Sequence, residues 1–536
     1  MSAPSWRRYW LPAVFVGLLL APAPWGAGLV LALAALVAGW RAARAIAAHR
    51  ARSDAVRGAA AVLGTDPRGR PVALSDRELS AHGLIVGASG GGKSTTLLRI
   101  LTEQIARGRP VVAIDMKGSP AFAQVLSDAS AAAGRPFARW SLDGPAHWNP
   151  LQHGNATELK DKLIATERFT EPHYQRAAER YVQIVLHVVA QAHPGRAPVL
   201  GELVELMDPN RLPSALRGVD ADLRDRVKDY LSGLTADQLS AVRGLQTRLA
   251  VLTESHTAPY LGPAVGGATG PVIDLREALR GPEVVLFSLN SSRYGRLAAQ
   301  IGTLVVQDLV SASGDRLSGA QPGRAVGPAM IGIDEFSALG SDHVIALLAR
   351  GRESGLSVVV ATQELADLDR AAVGLRDQVL GVTALKIVHR QEVPQSARTI
   401  AQIIGTERVW EETRQTAGRL LGGYDTGRGT RHQVERFIVH PNEIQSLRTG
   451  EAVVISKLRD GGSHRARIEP QRARIEPPRQ IEPPREAETE RSLERFPMSA
   501  PRSGPMRRRR AAAAPPPARA RPHEPPRTRG PDPPSR

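Results

Sequence analysis

Eight residues, Gly87-Ala-Ser-Gly-Gly-Gly-Lys-Ser94, constrain this chain more than any other feature. They fit G-x-x-x-x-G-K-[ST] at every position. Each residue type answers a physical need. Glycines, lacking Cβ, let successive backbone N–H groups converge on one anion. The lysine adds a compact positive charge, and the serine a hydroxyl suited to a hard cation. The flanks agree: Gly83-Leu-Ile-Val86 reads as a short buried strand, and Thr95-Thr-Leu-Leu-Arg-Ile-Leu101 as a helix whose N-terminus faces the loop. A glycine turn that happened to precede lysine would lack both. Gly87, Ala88, Ser89, Gly90, Gly91, Gly92, Lys93, Ser94 and Thr95 are therefore expected to bind ATP. Lys93 would sit on the β and γ phosphates, and Ser94 would bind Mg²⁺.

Met330-Ile-Gly-Ile-Asp-Glu335 is an apolar strand ending in two carboxylates. Strand ends face the ligand crevice of an open α/β sheet. Asp334 is expected to hold the Mg²⁺ and Glu335 to polarise the attacking water as general base. Alone this pattern is common; a complete phosphate loop upstream gives it weight. Ala361-Thr-Gln363 ends the next strand, where Gln363 would sense the γ-phosphate or position water, or else be an ordinary polar strand terminus. Arg350-Gly-Arg-Glu-Ser-Gly355 lies between the two strands. One of its arginines could reach a neighbouring subunit's nucleotide as an arginine finger; otherwise this is a solvated helix end.

The rest of the chain divides by pattern. From Tyr9 to Trp40 there is no charge, with Arg7 and Arg8 before and Arg41 and Arg44 after. One helix of that length would span about 48 Å, well beyond a ~30 Å hydrocarbon core. The Ala-Pro-Ala-Pro24 run instead breaks it into two short halves. Basic residues on both outer flanks favour a hairpin anchor over residues 1–50 with both ends in the cytoplasm. The competing interpretation is a cleaved signal peptide. Residues 51–153 and 263–460 read as two parts of one α/β nucleotide-binding domain, with strands near 283–289, 329–333, 357–361 and 384–388. Between them, 154–262 has apolar spacing near 3.6 residues and reads as an all-α insertion. Residues 461–536 repeat Arg-Ala-Arg-Ile-Glu-Pro and then turn to Arg and Pro, which predicts a disordered tail.

Charge follows this division. The tail holds 18 Arg, no Lys and 9 acidic residues, so it supplies about half of the net +17. The remainder is mildly basic, which permits nucleic-acid binding without requiring it. There is no cysteine, which excludes disulfides, thiolate zinc sites and thiol catalysis.

In this order the motifs resemble the TraG/TraD-type coupling proteins of type IV secretion and conjugation, within the FtsK/HerA translocase group. The resemblance runs from Gly64 to about Lys457. It is carried by Ala81-His-Gly-Leu-Ile-Val-Gly-Ala-Ser-Gly-Gly-Gly-Lys-Ser94, Asp115-Met-Lys-Gly118, Trp148-Asn-Pro-Leu151, Ile333-Asp-Glu-Phe336, Gly351-Arg-Glu-Ser-Gly-Leu356 and Ala361-Thr-Gln363. Met116 replaces the family's usual proline. The resemblance implies an inner-membrane, multi-pass protein with a cytoplasmic RecA-like P-loop ATPase domain. It further implies a homo-hexameric ring that passes single-stranded DNA with its relaxase to the secretion channel. It favours Arg352 over Arg350 as the finger. The role of the tail stays open between DNA contact, docking of accessory factors and a solvated appendage.

Three other functions compete. A double-stranded DNA translocase would be expected to carry a C-terminal winged helix, and no helix-turn-helix pattern follows Lys457. A protein-secretion ATPase commonly has tandem P-loop domains, and this chain has one. A non-enzymatic adaptor is disfavoured by the intact Asp334-Glu335 pair.

Overall fold

A computed structural model describes residues 35–40 and 58–475, apart from 68, 70, 168, 170, 265–268, 320–326, 340, 420–421 and 459–470. The expected membrane hairpin lies outside these residues except for 35–40, which are helical. No helix among the described residues is long and apolar enough to cross a membrane. Most of the expected tail also lies outside them.

The chain builds β1 (Ala61–Thr65), β2 (Pro71–Leu74), β3 (Gly83–Val86), β4 (Val111–Asp115), β5 (Phe137–Ser141), β6 (His147–Trp148), β7 (Val272–Ile273), β8 (Val284–Ser288), β9 (Ala329–Asp334), β10 (Leu356–Thr362), β11 (Leu385–Val388), β12 (Thr406–Arg419), β13 (Gly422–Phe437), β14 (Glu451–Ser456) and β15 (Gln471–Ile475). Eleven of these form one sheet in the order β2-β1-β15-β14-β11-β3-β10-β9-β4-β8-β5. From β11 to β5 all neighbours are parallel. The other flank, from β14 to β2, is antiparallel. Every strand predicted from the sequence is present within a residue or two of its expected ends.

Parallel strands covered on both faces read as unbroken apolar runs, and here alternate residues feed two separate cores. Ile85, Ala113, Leu286 and Val359 join the core beneath helices Lys93–Ala106 and Pro120–Ala132. Leu84, Ile114, Phe287, Ile333 and Val360 join the other, larger core. Gly332 has a spacing role. A Cβ there would lie 2.9 Å from Leu101 Cδ2, so its absence lets the helix after the phosphate loop lie close against β9.

The expected all-α insertion is present as helices Ala156–Ile164, Pro172–Ala192, Leu200–Leu206, Ala221–Ser232 and Ala236–Thr253, with shorter turns between. Its apolar stripe (Tyr181, Val185, Leu245, Leu249) belongs to the same cluster as Phe287 and Ile333, so the insertion has no separate core. Trp148-Asn-Pro-Leu151 forms the joint where it leaves the sheet. Trp148 packs edge-on against Phe287 with ring centroids 5.3 Å apart, and its indole N–H donates to Asp308 at 3.2 Å. Lys162 of the insertion donates to Asp308 and to the Pro150 carbonyl, both at 2.8 Å. A buried pair of this kind is costly to break from one side, about 3–5 kcal/mol.

Two regions depart from the expectations. β12 and β13, among the described residues, pair only with each other. They place Glu407 opposite Arg436, Arg408 opposite Glu435 and Val409 opposite Val434. Second, the tail expected to be disordered from residue 461 contains β15, which lies between β14 and β1 and is antiparallel to both. The reason is local. An edge strand such as β14 presents a row of unpaired backbone groups, and a short extended segment satisfies them whatever its overall composition. Truncation after residue 476 should accordingly leave the melting temperature unchanged, whereas truncation after residue 458 should lower it by several degrees. Equal melting of the two shortened proteins would remove β15 from the sheet.

Candidate nucleotide site

The hydrogen-bond register of the sheet assembles the site. β3, β10, β9 and β4 are neighbours, with Val86 level with Thr362, Val360 with Ile333, and Asp334 with Asp115. The phosphate loop, Gln363, the two carboxylates and the turn after β4 therefore emerge together at the carboxyl edge of the sheet. Gly90 and Gly92 have φ of 73° and 115°, as a loop that turns its amides inward requires.

Lys93 is buried and lies along its own loop, its Nζ donating to the Gly87 carbonyl at 2.6 Å and to Ala88 at 3.1 Å. Burial, followed by the neighbouring Lys117 ammonium, holds it below the usual lysine range. Ser94 Oγ donates to Asp334 Oδ2 at 2.6 Å. The other oxygen of Asp334 is buried and accepts no hydrogen bond from the protein. Paired with a serine hydroxyl beside a phosphate loop, such a carboxylate fits an octahedral Mg²⁺ that keeps waters and takes further ligands from a phosphate. Among the described residues no group of three or more His, Cys, Asp or Glu could hold a metal alone, so the cation would have to be shared with its ligand.

Glu335 takes a left-handed backbone (φ 59°, ψ 45°) that non-glycine residues adopt at a cost of about 1–3 kcal/mol. Its carboxylate accepts a hydrogen bond from Gln363 Nε2. Glu335 and Gln363 line a cavity of about 570 Å³ that continues along Ser337 and Arg370. A neighbouring cavity of about 650 Å³ shares Ser337 and Arg370 and reaches Glu167 of the insertion. There the Glu167 side chain, 3% exposed, pairs with Arg248 and Arg296, each at 3.2 Å.

Arg352 stands elsewhere. It precedes β10, whose far end carries Gln363, so the length of the strand, roughly 20 Å, separates them. It is exposed and lies near His82, at the start of β3. Arg350 is exposed in the same segment.

Two residues to which the sequence assigns no role are prominent here. Lys117 Nζ lies 3.3 Å from Asp334 Oδ2, 3.4 Å from Ser94 Oγ and 3.9 Å from Glu335 Oε2. His389 is buried against the phosphate loop. A Cβ on Gly87 would fall 2.5 Å from His389 Cβ, so Gly87 is needed for this contact as well as for the loop. His389 Nδ1 is 2.9 Å from the Glu451 carbonyl, and Nε2 is 2.9 Å from Thr96 Oγ1. The carbonyl can only accept, so Nδ1 carries the proton and Nε2 accepts from Thr96. Asp115, level with Asp334, accepts from the Lys117 and Ser119 amides at 2.9 and 2.6 Å. Burial raises its pKa, the Ser119 amide opposes that, and the Asp334 carboxylate adds to it.

Comparison with known proteins bears on the family likeness and the fold. Residues 328–449 match the family described as "TraM recognition site of TraD and TraG", so this part of the chain is TraG/TraD-like. No curated protein matches the sequence. Among solved structures, the bacterial conjugative coupling protein TrwBdeltaN70 is 19% identical, with a TM-score of 0.54 over 78% of this chain and 88% of its own. TrwB with the ATP analogue ADPNP gives 17% and 0.54, covering 78% and 90%. VirB4 of Thermoanaerobacter pseudethanolicus gives 14% and 0.50, covering 78% and 96%. At these identities the likeness is one of fold: the α/β domain with its large mixed sheet is of the kind seen in TrwB.

Burial pushes His82 and His389 down to about 4 from an ordinary 6.5. Both are neutral in the folded protein between those values, while the unfolded chain takes up the protons. Stability is therefore complete above about pH 6.5 and lost as pH falls toward 4. Melting temperature should drop across that window, and His389→Gln should flatten the slope. An unchanged slope in the variant would mean that His389 already titrates normally in the fold.

Proposed function

We propose that this chain is a membrane-anchored ATPase that couples relaxase-bound single-stranded DNA to a type IV secretion channel and drives its passage. One observation carries the enzymatic half: the Ser94 to Asp334 hydrogen bond, with Glu335 and Gln363 joined beside it. A phosphate loop closed against a strand-end carboxylate, with a second carboxylate held by an amide, has the groups that nucleotide hydrolysis needs. The TraG/TraD-like segment and the TrwB-like fold support the conjugative half. TrwB has also been solved with ADP and Mg²⁺, which supports the same cofactors here.

In this RecA-like domain the roles divide by position. The loop amides and Lys93 bind the β and γ phosphates, Lys93 exchanging its two carbonyl contacts for phosphate oxygens. Ser94 and Asp334 hold the Mg²⁺, which neutralises charge on the phosphates. Glu335 orients and deprotonates the attacking water. Gln363, bound to Glu335 and level with the phosphate loop, reports on the γ-phosphate by whether that bond survives. Arg352 is too far to serve its own site and acts on a neighbour's in a homo-hexamer. Anchoring is supported by the uncharged run 9–40, whose described part exposes Leu36 and Trp40.

Lys93→Ala should abolish nucleotide binding. Glu335→Gln should keep ATP binding and slow turnover about 10²–10⁴-fold, the range for loss of a general base; equal loss of binding would reassign Glu335 to a structural or metal role. The cargo is tested with a protein lacking residues 1–50. ATP turnover should rise with single-stranded DNA, and the rise should shrink as salt increases, since phosphate contacts release counterions. Turnover indifferent to DNA would move the cargo to protein.

A further inference from the structure

We propose that Lys117 is a phosphate-binding residue that exchanges places with the divalent cation. Its ammonium contacts the Ser94 and Asp334 oxygens expected to hold the cation, and it would serve the γ-phosphate once those oxygens are committed to Mg²⁺. The proposal rests on the ATPase reading above and names a residue which that reading leaves unused.

The contacts define the competition. Lys117 Nζ is within 3.4 Å of Ser94 Oγ and of Asp334 Oδ2, the two oxygens expected to bind Mg²⁺. An ammonium and a divalent ion cannot share them at such distances. Displaced from Asp334, the ammonium has Glu335 Oε2 at 3.9 Å as its nearest remaining partner. Glu335 lines the cavity beside Gln363, which the reading above makes the γ-phosphate side of the site.

The turn is held by the backbone while the side chain is partly exposed, as such an exchange requires. The turn carrying Lys117 is held by Asp115, whose two oxygens accept from the Lys117 and Ser119 amides. The Ser291 amide donates to the Met116 carbonyl at 2.7 Å. Gly118 has φ of 68°, and a Cβ there would lie 2.6 Å from Asn290 Cβ, so the absence of a side chain lets the turn pack directly against Asn290. The Lys117 side chain, in contrast, is 35% exposed, whereas Asp334 beneath it is 1% exposed. Charge points the same way. Asp115, Asp334 and Glu335 gather at adjacent strand ends, and Lys117 depresses the pKa of Lys93. Two mutually repelling ammonium groups thus converge on one crevice, an arrangement that a polyphosphate relieves.

The test compares wild type with Lys117→Met and Lys117→Arg, measuring ATP and ADP affinity with Mg²⁺, and Mg²⁺ affinity of chelator-treated protein without nucleotide. Lys117→Met should lose ATP affinity by roughly 10- to 100-fold, the range for one charge-assisted contact, with ADP affinity nearly unchanged. Its Mg²⁺ affinity without nucleotide should rise, because the competing ammonium is gone. Lys117→Arg, which keeps the charge, should retain most of the preference for ATP and so exclude misfolding as the cause. Parallel loss of ATP and ADP, or an unchanged Mg²⁺ affinity in Lys117→Met, would overturn the exchange while leaving the ATPase reading intact. Failure of the wild type to bind either nucleotide would overturn both.

Discussion

Everything at the nucleotide site depends on the hydrogen-bond register of four parallel strands. β3, β10, β9 and β4 are level at their carboxyl ends, with Asp334 beside Asp115 and Val86 beside Thr362. Side chains in a strand alternate faces, so a one-residue slip of β9 would turn Asp334 from the crevice into a core. What opposes that slip is the difference between the two faces, one filled by branched side chains and the other opened at Gly332 for Leu101. Ile331 and Ile333 feed one core, while Met330 faces the other and Gly332 lies under Leu101. The 2.6 Å Ser94–Asp334 contact is therefore a consequence of packing far from the site.

The same register creates an electrostatic problem. Three carboxylates meet at neighbouring strand ends, and burial makes the charge on Asp115 harder to keep. Backbone amides answer for Asp115, and Ser94 together with Lys117 answers for Asp334. Gln363 answers for Glu335. Each solution is different, and each leaves a different group free to respond to a ligand. The left-handed backbone at Glu335 belongs to this set: it turns the carboxylate aside from the strand axis, toward Gln363 and the cavity.

Legibility in the sequence followed the physical origin of each feature. The phosphate loop and β9 are visible because their chemistry is local: glycines, one lysine, an apolar run and a carboxylate pair. The insertion is visible because its helices carry a continuous apolar stripe. β12 and β13 were hidden, since their register sets opposite charges such as Arg408 and Glu435 across from one another instead of an apolar alternation, and charge in a sequence reads as a solvated surface. β15 was hidden by composition: Gln-Arg-Ala-Arg-Ile475 has no strand signal of its own and is ordered by the open edges it joins. Lys117 and His389 were hidden for a third reason. Their significance lies in what they touch, Asp334 in one case and Gly87 in the other, and these contacts join residues some 200 or more positions apart.

The position of Arg352 carries an argument about assembly. It stands at the amino edge of the sheet, near His82, while the site lies at the carboxyl edge. If Arg352 serves a neighbour's site, the amino edge of one subunit must meet the carboxyl edge of the next. That contact joins two different surfaces, so it is heterologous, and a heterologous contact builds either a closed ring or an open filament according to its rotation. A two-fold dimer could complete the site this way only if one self-complementary patch contained both edges. The Glu335–Gln363 cavity opens along Ser337 and Arg370 toward Glu167 of the insertion. A neighbour's side chain reaching the nucleotide from that side would have to pass beside the insertion.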